Sequence, residues 1–447
     1  MSLLQLANKA LWFCSAALLF LLASCGTSTE FYRTVEDNIS KGEYREAIQE
    51  VRSNRSAYGD KSTVLFLLDM GLLFHYAGEP DSSTKYFFAA EKEIEDLYTK
   101  SISLAVLSFV LNDNVLPYEG EDFEKVLINV FLALNYAEKG MMEDALVEAR
   151  KVDLKLRQYV REYEGKNKYQ EDAFIRYIAG AMYETEGEIN DAFISYRKAY
   201  EAYLVYEREY GTPTPSFLLD DLVRTATLMS FTEEAELYAS LGGKPYDQEN
   251  RTMGSILVIA YAGKGPIKEE IRPTVTIPDT AGILHTFQVA LPRFVPRYHG
   301  ERQYVVTAVS ASDSVRGRTE IAENVTAIAS QSLDDRLALV YLKSGGRAVL
   351  KFLAAEKAKS EISEDSDSKA RNFLASLAID LVVGATEQAD TRTWRTLPAE
   401  FQLARLNLPP GTYTLNIASS DNLYALSDVD VSVQPGKTSF VVVDDVR

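Results

Sequence analysis

Residues 179–199 read AGAMYETEGEINDAFISYRKA. Small residues stand at Ala179 and Gly180 and an aromatic at Tyr183. A glycine follows at Gly187, then Ala192, Tyr196 and Ala199. On both sides of Gly187 the apolar residues recur at three- and four-residue intervals, the period of a helix. The stretch therefore predicts two antiparallel helices joined at Gly187, the one residue type that ends a helix in a left-handed conformation at little cost. Small side chains at the facing positions let the two helices approach, and the aromatics fill the space to the next pair.

The same order recurs upstream. Met70-Gly71 is followed by Phe74, Gly78, Ser83, Phe87 and Ala90, and Leu132-Ala133 by Tyr136, Gly140, Ala145 and Ala149. Weaker units flank these, Gly42 with Ala47 before and Ala235 with Ala239 after. The pattern resembles the tetratricopeptide repeat and occupies residues 29–243. That resemblance implies a superhelix of stacked helix pairs whose hollow side binds protein. The turn glycines are unevenly spaced, so stretches such as Val106 to Glu124, with Asn112-Asp113-Asn114 and Pro117, carry extra helix or loop. In the first helices of the units, Asn129, Asn135, Arg176 and Glu184 are expected to face the hollow side, where polar groups can clamp a peptide. They are candidate partner-binding residues.

Past Gly242-Gly243-Lys244-Pro245 the composition changes. Runs with strand character appear at Ser255–Ala262, Val275–Ile277, Phe287–Leu291, Tyr304–Val309 and Leu337–Tyr341. Helices are expected at Ala348–Lys359 and Asn372–Ala385, the second too short to span a bilayer, with an acidic serine-rich loop at Glu361–Ser368. The ending alternates turns and strands: Pro409-Pro410-Gly411, Thr412–Ile417, Val429–Val433, Pro435-Gly436, Ser439–Val443. It resembles the immunoglobulin-like or transthyretin-like sandwiches of envelope proteins. The expected fold is α+β and multidomain. A signal peptide at 1–24 and a lipidated linker at 25–28 precede the tetratricopeptide-like superhelix at 29–243. A mixed β/α domain follows at 250–385 and a C-terminal β-sandwich portion at 386–447.

Residues 387–405 (EQADTRTWRTLPAEFQLAR) hold Trp394 between Arg392 and Arg395. With the irregular repeats and the Pro-Pro-Gly-Thr-Tyr ending, this block resembles an uncharacterised family of conserved bacterial lipoproteins. Their Ala-Asp-Thr-Arg-x-Trp…Leu-Pro motif precedes the final strands. The resemblance implies a role in peptidoglycan or envelope maintenance. Two physical readings stand open. Asp390 can pair with Arg392 or Arg395, an arginine stacking on the indole, to make an internal clasp. Alternatively Arg392, Trp394 and Arg395 form an exposed hot spot for a partner.

The N-terminus gives the address. Lys9, the apolar run Leu11–Leu22 and then Leu22-Ala23-Ser24-Cys25 resemble a lipoprotein leader. The run is too short to span a bilayer. Cleavage before Cys25 and acylation of its thiol are expected, with more than one chain giving stable attachment. Gly26, where the inner-membrane retention signal has Asp, implies the outer membrane facing the periplasm. Of the two cysteines, Cys14 leaves with the leader and Cys25 takes the lipid, so thiol catalysis, disulfides and cysteine metal sites are not expected.

A net charge of −18 over 447 residues sets the chain against phosphate backbones, so nucleic acid is not an expected partner. The three histidines, His75, His285 and His299, show no metal-ligand spacing. Nucleophile-elbow and phosphate-loop motifs are missing from the sequence. No cofactor and no catalytic residue is expected. The sequence thus reads as a membrane-anchored envelope lipoprotein that scaffolds protein–protein interactions through its repeats. The competing readings are an accessory lipoprotein of a secretion or surface-assembly machine and a cell-wall enzyme.

Overall fold

The computed structural model describes residues 29–110, 116–247, 252–278, 284–297, 303–311, 313–337, 340, 388–420 and 425–446. The leader, Cys25, the expected helices at Ala348–Lys359 and Asn372–Ala385 and the loop between them lie outside these residues.

The described chain opens with five antiparallel helix pairs. They are α1 (Thr29–Ser40) with α2 (Tyr44–Ser53), then, after the single turn α3 (Arg55–Tyr58), α4 (Thr63–Tyr76) with α5 (Pro80–Val110). The remaining pairs are α6 (Asp122–Glu138) with α7 (Met142–Glu162), α8 (Ala173–Thr185) with α9 (Ile189–Tyr210), and α10 (Ser216–Leu228) with α11 (Thr232–Ser240). Gly42, Gly78, Gly140 and Gly187 turn four of the pairs at φ between +66° and +79°, and Ser230 takes the same place in the fifth at φ +61°. The small residues of the repeat are required by distance. A Cβ on Gly71 would lie 2.7 Å from the Phe87 ring, and one on Gly180 2.5 Å from the Tyr196 ring.

Two four-stranded sheets follow. The first has the order β12-β1-β9-β8, from β1 (Gly254–Lys264), β8 (Glu320–Asn324), β9 (Pro398–Leu408) and β12 (Thr438–Asp445). The second has the order β11-β10-β6-β7, from β6 (Tyr304–Val309), β7 (Ser314–Arg318), β10 (Gly411–Ser419) and β11 (Ala425–Val433). Strands β1 and β12 run parallel, with Ser255 opposite Thr438, and the other pairs are antiparallel. Between β1 and β6 a two-stranded ribbon is made by β2 (Ile267–Ile271) with β5 (Leu291–Val295) and by β3 (Thr274–Pro278) with β4 (Leu284–Gln288).

Three differences from the sequence reading stand out. Both sheets draw strands from either side of residue 386, so the stretches 250–385 and 386–447 interleave in one sandwich and are not consecutive units. The expected strand Phe287–Leu291 straddles the break between β4 and β5. The expected strand Leu337–Tyr341 is helical where described, since Val340 N donates to Arg336 O beyond α12 (Val325–Asp334). Residues 335–336 form a turn after α12, and the bond from Val340 to Arg336 resumes helical pairing beyond it.

Strand β1 explains the layering. Its side chains alternate: Ile256, Val258 and Ala260 join the core between the two sheets, while Leu257, Ile259 and Tyr261 join the core of the helical stack. A strand apolar on both faces has protein on both faces. The molecule is therefore three layers, helices on sheet on sheet. No helix among the described residues is long and apolar enough to cross a membrane.

Candidate interaction groove

The first helices of the pairs, α4, α6, α8 and α10, line the hollow side of the stack, and the first sheet lies in it. Apolar contact comes first. Trp394 meets Phe87 and Phe131 edge-on, each at a centroid distance of 5.8 Å. Phe401 of β9 stacks on Phe174 at 5.0 Å and meets Tyr261 at 5.2 Å.

Polar side chains within this apolar seam find partners across it, with the Nε of Arg405 left over. Arg405, projecting from β9 between the inward-facing Leu403 and the strand end, donates from Nη2 to Glu184 at 2.8 Å and from Nη1 to Asp221 at 3.0 Å. Its Nη1 also reaches Tyr196 Oη at 2.9 Å. Arg224 closes the other side, donating to both Glu184 oxygens at 2.8 Å and to Asp221 at 2.6 Å. Burial opposes ionisation of Glu184, but the guanidinium groups of Arg224 and Arg405 outweigh it and hold the carboxyl down at about 2. Two arginines thus face two carboxylates, and charge balances where water is excluded.

A second cluster fixes the tryptophan block. Asp69 accepts from Tyr32 at 2.8 Å, Tyr58 at 2.7 Å and Thr396 at 2.8 Å, and Thr396 in turn accepts from the Trp394 indole at 2.9 Å. Burial pushes the Asp69 carboxyl up to about 6, against the lowering effect of its hydrogen bonds. Glu124 at the start of α6 accepts from Trp394 N at 2.7 Å, Thr393 at 2.9 Å and Glu121 N at 3.0 Å. Burial raises its carboxyl above the usual range, as does neighbouring Glu121. His75 bridges Asn135, 2.6 Å from Nδ1, and Tyr261, 2.8 Å from Nε2.

These positions correct several expectations for the candidate partner-binding residues. Asn129 faces the second helices, donating to Glu91 at 3.0 Å and Glu148 at 2.7 Å. Asn135 donates to Ser83 at 2.9 Å beside His75. Both are fully buried. Arg176 points to the outer side, 3.1 Å from Asp153. Glu184 does face the hollow side, but its partner there is this chain's own Arg405. Trp394 is 1% exposed, out of reach of a hot spot for an external protein. The block has the geometry of a clasp, with Arg392 paired to Asp390 at 2.6 Å. The arginines stack elsewhere than on the indole: Arg392 lies 5.3 Å from the Tyr118 ring centre and Arg395 4.8 Å from that of Tyr32. Arg395 also pairs with Glu36 at 3.0 Å.

The sequence reading missed Arg405, Asp69, Glu124, Asp221 and Tyr261. Two had a signal. Asp69 is the one charged residue in TVLFLLDMGLLF, residues 63–74, and a lone carboxylate in an apolar helix needs a buried donor. Arg405 alternates in phase with Phe401 and Leu403, which makes it an inward cation. Among the described residues, no cluster of three or more His, Cys, Asp and Glu side chains can hold a metal ion.

No family model and no curated protein matches the chain. Solved structures similar to it include BtubC from P. vanneervenii, at 13% identity and TM-score 0.32 over 48% of this chain and 81% of that one. The apo form of RapI matches at 16% identity and TM-score 0.35, over 47% of this chain and 51% of its own. MamA of AMB-1 matches at 16% identity and TM-score 0.28, over 47% of this chain and 87% of its own.

Proposed function

We propose that the protein is an envelope lipoprotein, cleaved before Cys25 and acylated there, that serves as a rigid scaffold for other envelope proteins. The observation that carries this reading is the filled groove. Buried ion pairs and aromatic contacts lock five helix pairs onto the chain's own sheet, which leaves the outer helices as the free, rigid surface. Rigid helical stacks present fixed faces to partners at a low ordering cost. Gly26, Thr27 and Ser28 alone separate Cys25 from α1. Extended chain spans at most ~3.6 Å per residue, so the lipid would hold the first helix pair within roughly 14 Å of the membrane surface.

The experiment has two arms. Cys25→Ser should move the protein from the membrane to the soluble fraction, and retention at the membrane would remove the lipid anchor from the reading. The acylated protein, cross-linked in cells and purified in mild detergent, should bring down a defined envelope protein at stoichiometric yield. Recovery of nothing above a tag-only control would end the scaffold reading.

A further inference from the structure

The outer face of α7 differs in character from the rest of an acidic molecule. Val147 and Leu154 stand on it 45% and 58% exposed. Seven residues are two helical turns, so the pair lie ~10.5 Å apart on one line. Arg150, Arg157 and Arg161 share that face, all exposed, with the exposed Glu143 one turn before Val147. Arg157 and Arg161 form no ion pair among the described residues. Beside them a cleft of about 220 Å³ opens over α8 between α7 and α9, floored by Ile175 and Ala179 and carrying Arg150, Arg176 and Lys198. Asp153 and Asp191 also line it, and Asp153 is already engaged by Arg176 at 3.1 Å.

We propose that this face of α7 docks an acidic amphipathic helix of a partner protein, two of its aliphatic residues seven apart meeting Val147 and Leu154 while flanking carboxylates pair with Arg150, Arg157 and Arg161. The argument is charge and spacing together. The chain carries 65 acidic against 47 basic residues, yet here three arginines flank two exposed aliphatic side chains in the repeat of a helix. An i, i+7 aliphatic pair beside an apolar-floored cleft matches the anchor spacing with which amphipathic helices are recognised. Because the hollow side is occupied, a partner helix has to bind outside it. The inference rests on the scaffold reading and gives it a surface and a partner chemistry.

The test uses the full-length protein in detergent. The probe is a synthetic helical peptide with leucine seven residues apart and glutamate on both flanks, and its twin has lysine for glutamate. By fluorescence anisotropy the glutamate peptide should bind with a Kd on the order of 10–100 µM, weakening as salt rises. Arg157→Glu with Arg161→Glu should weaken it at least tenfold and Leu154→Ser at least threefold. The neutral pair Arg157→Gln with Arg161→Gln should fall between, with melting temperatures unchanged. Equal binding of the two peptides, or less than a twofold effect of charge reversal, would overturn the proposal. So would vesicles of phosphatidylglycerol displacing the glutamate peptide from the stripe, since the occupant would then be a membrane. If the peptide fails while an envelope protein still co-purifies, this face is refuted and the scaffold stands. If the peptide binds as described and nothing co-purifies, the face stands and the scaffold reading falls.

Discussion

At the scale of single residues, Arg405 and Asp69 carry the seam in opposite ways. Arg405 is 3% exposed at its side chain and joins two carboxylates of the helices to the sheet. Removing one partner of a buried network leaves an uncompensated charge among the others, at a cost of roughly 3–5 kcal/mol. Arg405→Leu should therefore lower the urea midpoint sharply, and Arg405→Lys should lower it less, since lysine keeps the charge although its ammonium cannot fork between Glu184 and Asp221. Asp69 behaves as a carboxylate that burial disfavours. Its folded value of about 6 lies above the unfolded 3.8. Its contribution is thus fully present below pH ~4 and lost as pH rises through about 6, an effect of at most roughly 3 kcal/mol. Asp172, raised by burial to about 6, and Glu323, raised by burial and by Asp172, act in the same direction. Glu184, held at about 2, loses its contribution only below this window. Urea unfolding at pH 4.5 and 7.5 should therefore show a smaller difference between the two pH values in Asp69→Asn than in wild type. An equal difference would place the pH dependence elsewhere.

At the scale of elements, the repeat was legible because its positions are set by distance. Gly180 sits where a Cβ would lie 2.5 Å from the Tyr196 ring, and a helix-period pattern with small residues at such places has few other readings. Gly180→Ala should cost about 1–3 kcal/mol by overpacking, and should also weaken the Tyr196 bonds to Glu184 and Arg405. Thermal melts of the two variants together test this, because Gly180→Ala and Arg405→Leu share a network and should not add. Ser230, alone among the five turns in lacking glycine, supplies the reverse case. At φ +61° it holds a left-handed conformation disfavoured for side chains, and Ser230→Gly should raise stability by up to about 1 kcal/mol. Strands β1, β6, β10, β11 and β12 were legible from their apolar runs and bounding turns. Strand β9 was not, because its Gln402 and Arg405 are polar residues whose partners, Thr319 in the sheet and Glu184 and Asp221 in the groove, are remote in sequence. Pairing of β1 with β12 was equally hidden, since nothing local in either strand specifies a parallel neighbour so distant in sequence.

At the scale of the whole molecule, a groove expected to be open for a partner is closed by the chain itself. Which polar residues face that groove could be guessed from helical phase only in part. Glu184 was placed correctly, while Asn129 and Arg176 fell on other faces, because an irregular repeat shifts phase between units. Helices 29–243 expressed alone should expose Phe131, Phe174 and the Glu184–Arg224 cluster to water. That fragment should bind anilinonaphthalene sulfonate and melt broadly, whereas the intact chain should melt in one sharp step. A sharp, dye-silent transition of the fragment would show that the helices stand without the sheet. The parallel pairing of β1 with β12 has a kinetic consequence as well. Ser255 and Thr438 lie 183 positions apart, so during synthesis the helical stack emerges long before its lining can close. Late arrival of so remote a contact makes folding slow, and in that interval the bare aromatic surface is an invitation to a chaperone.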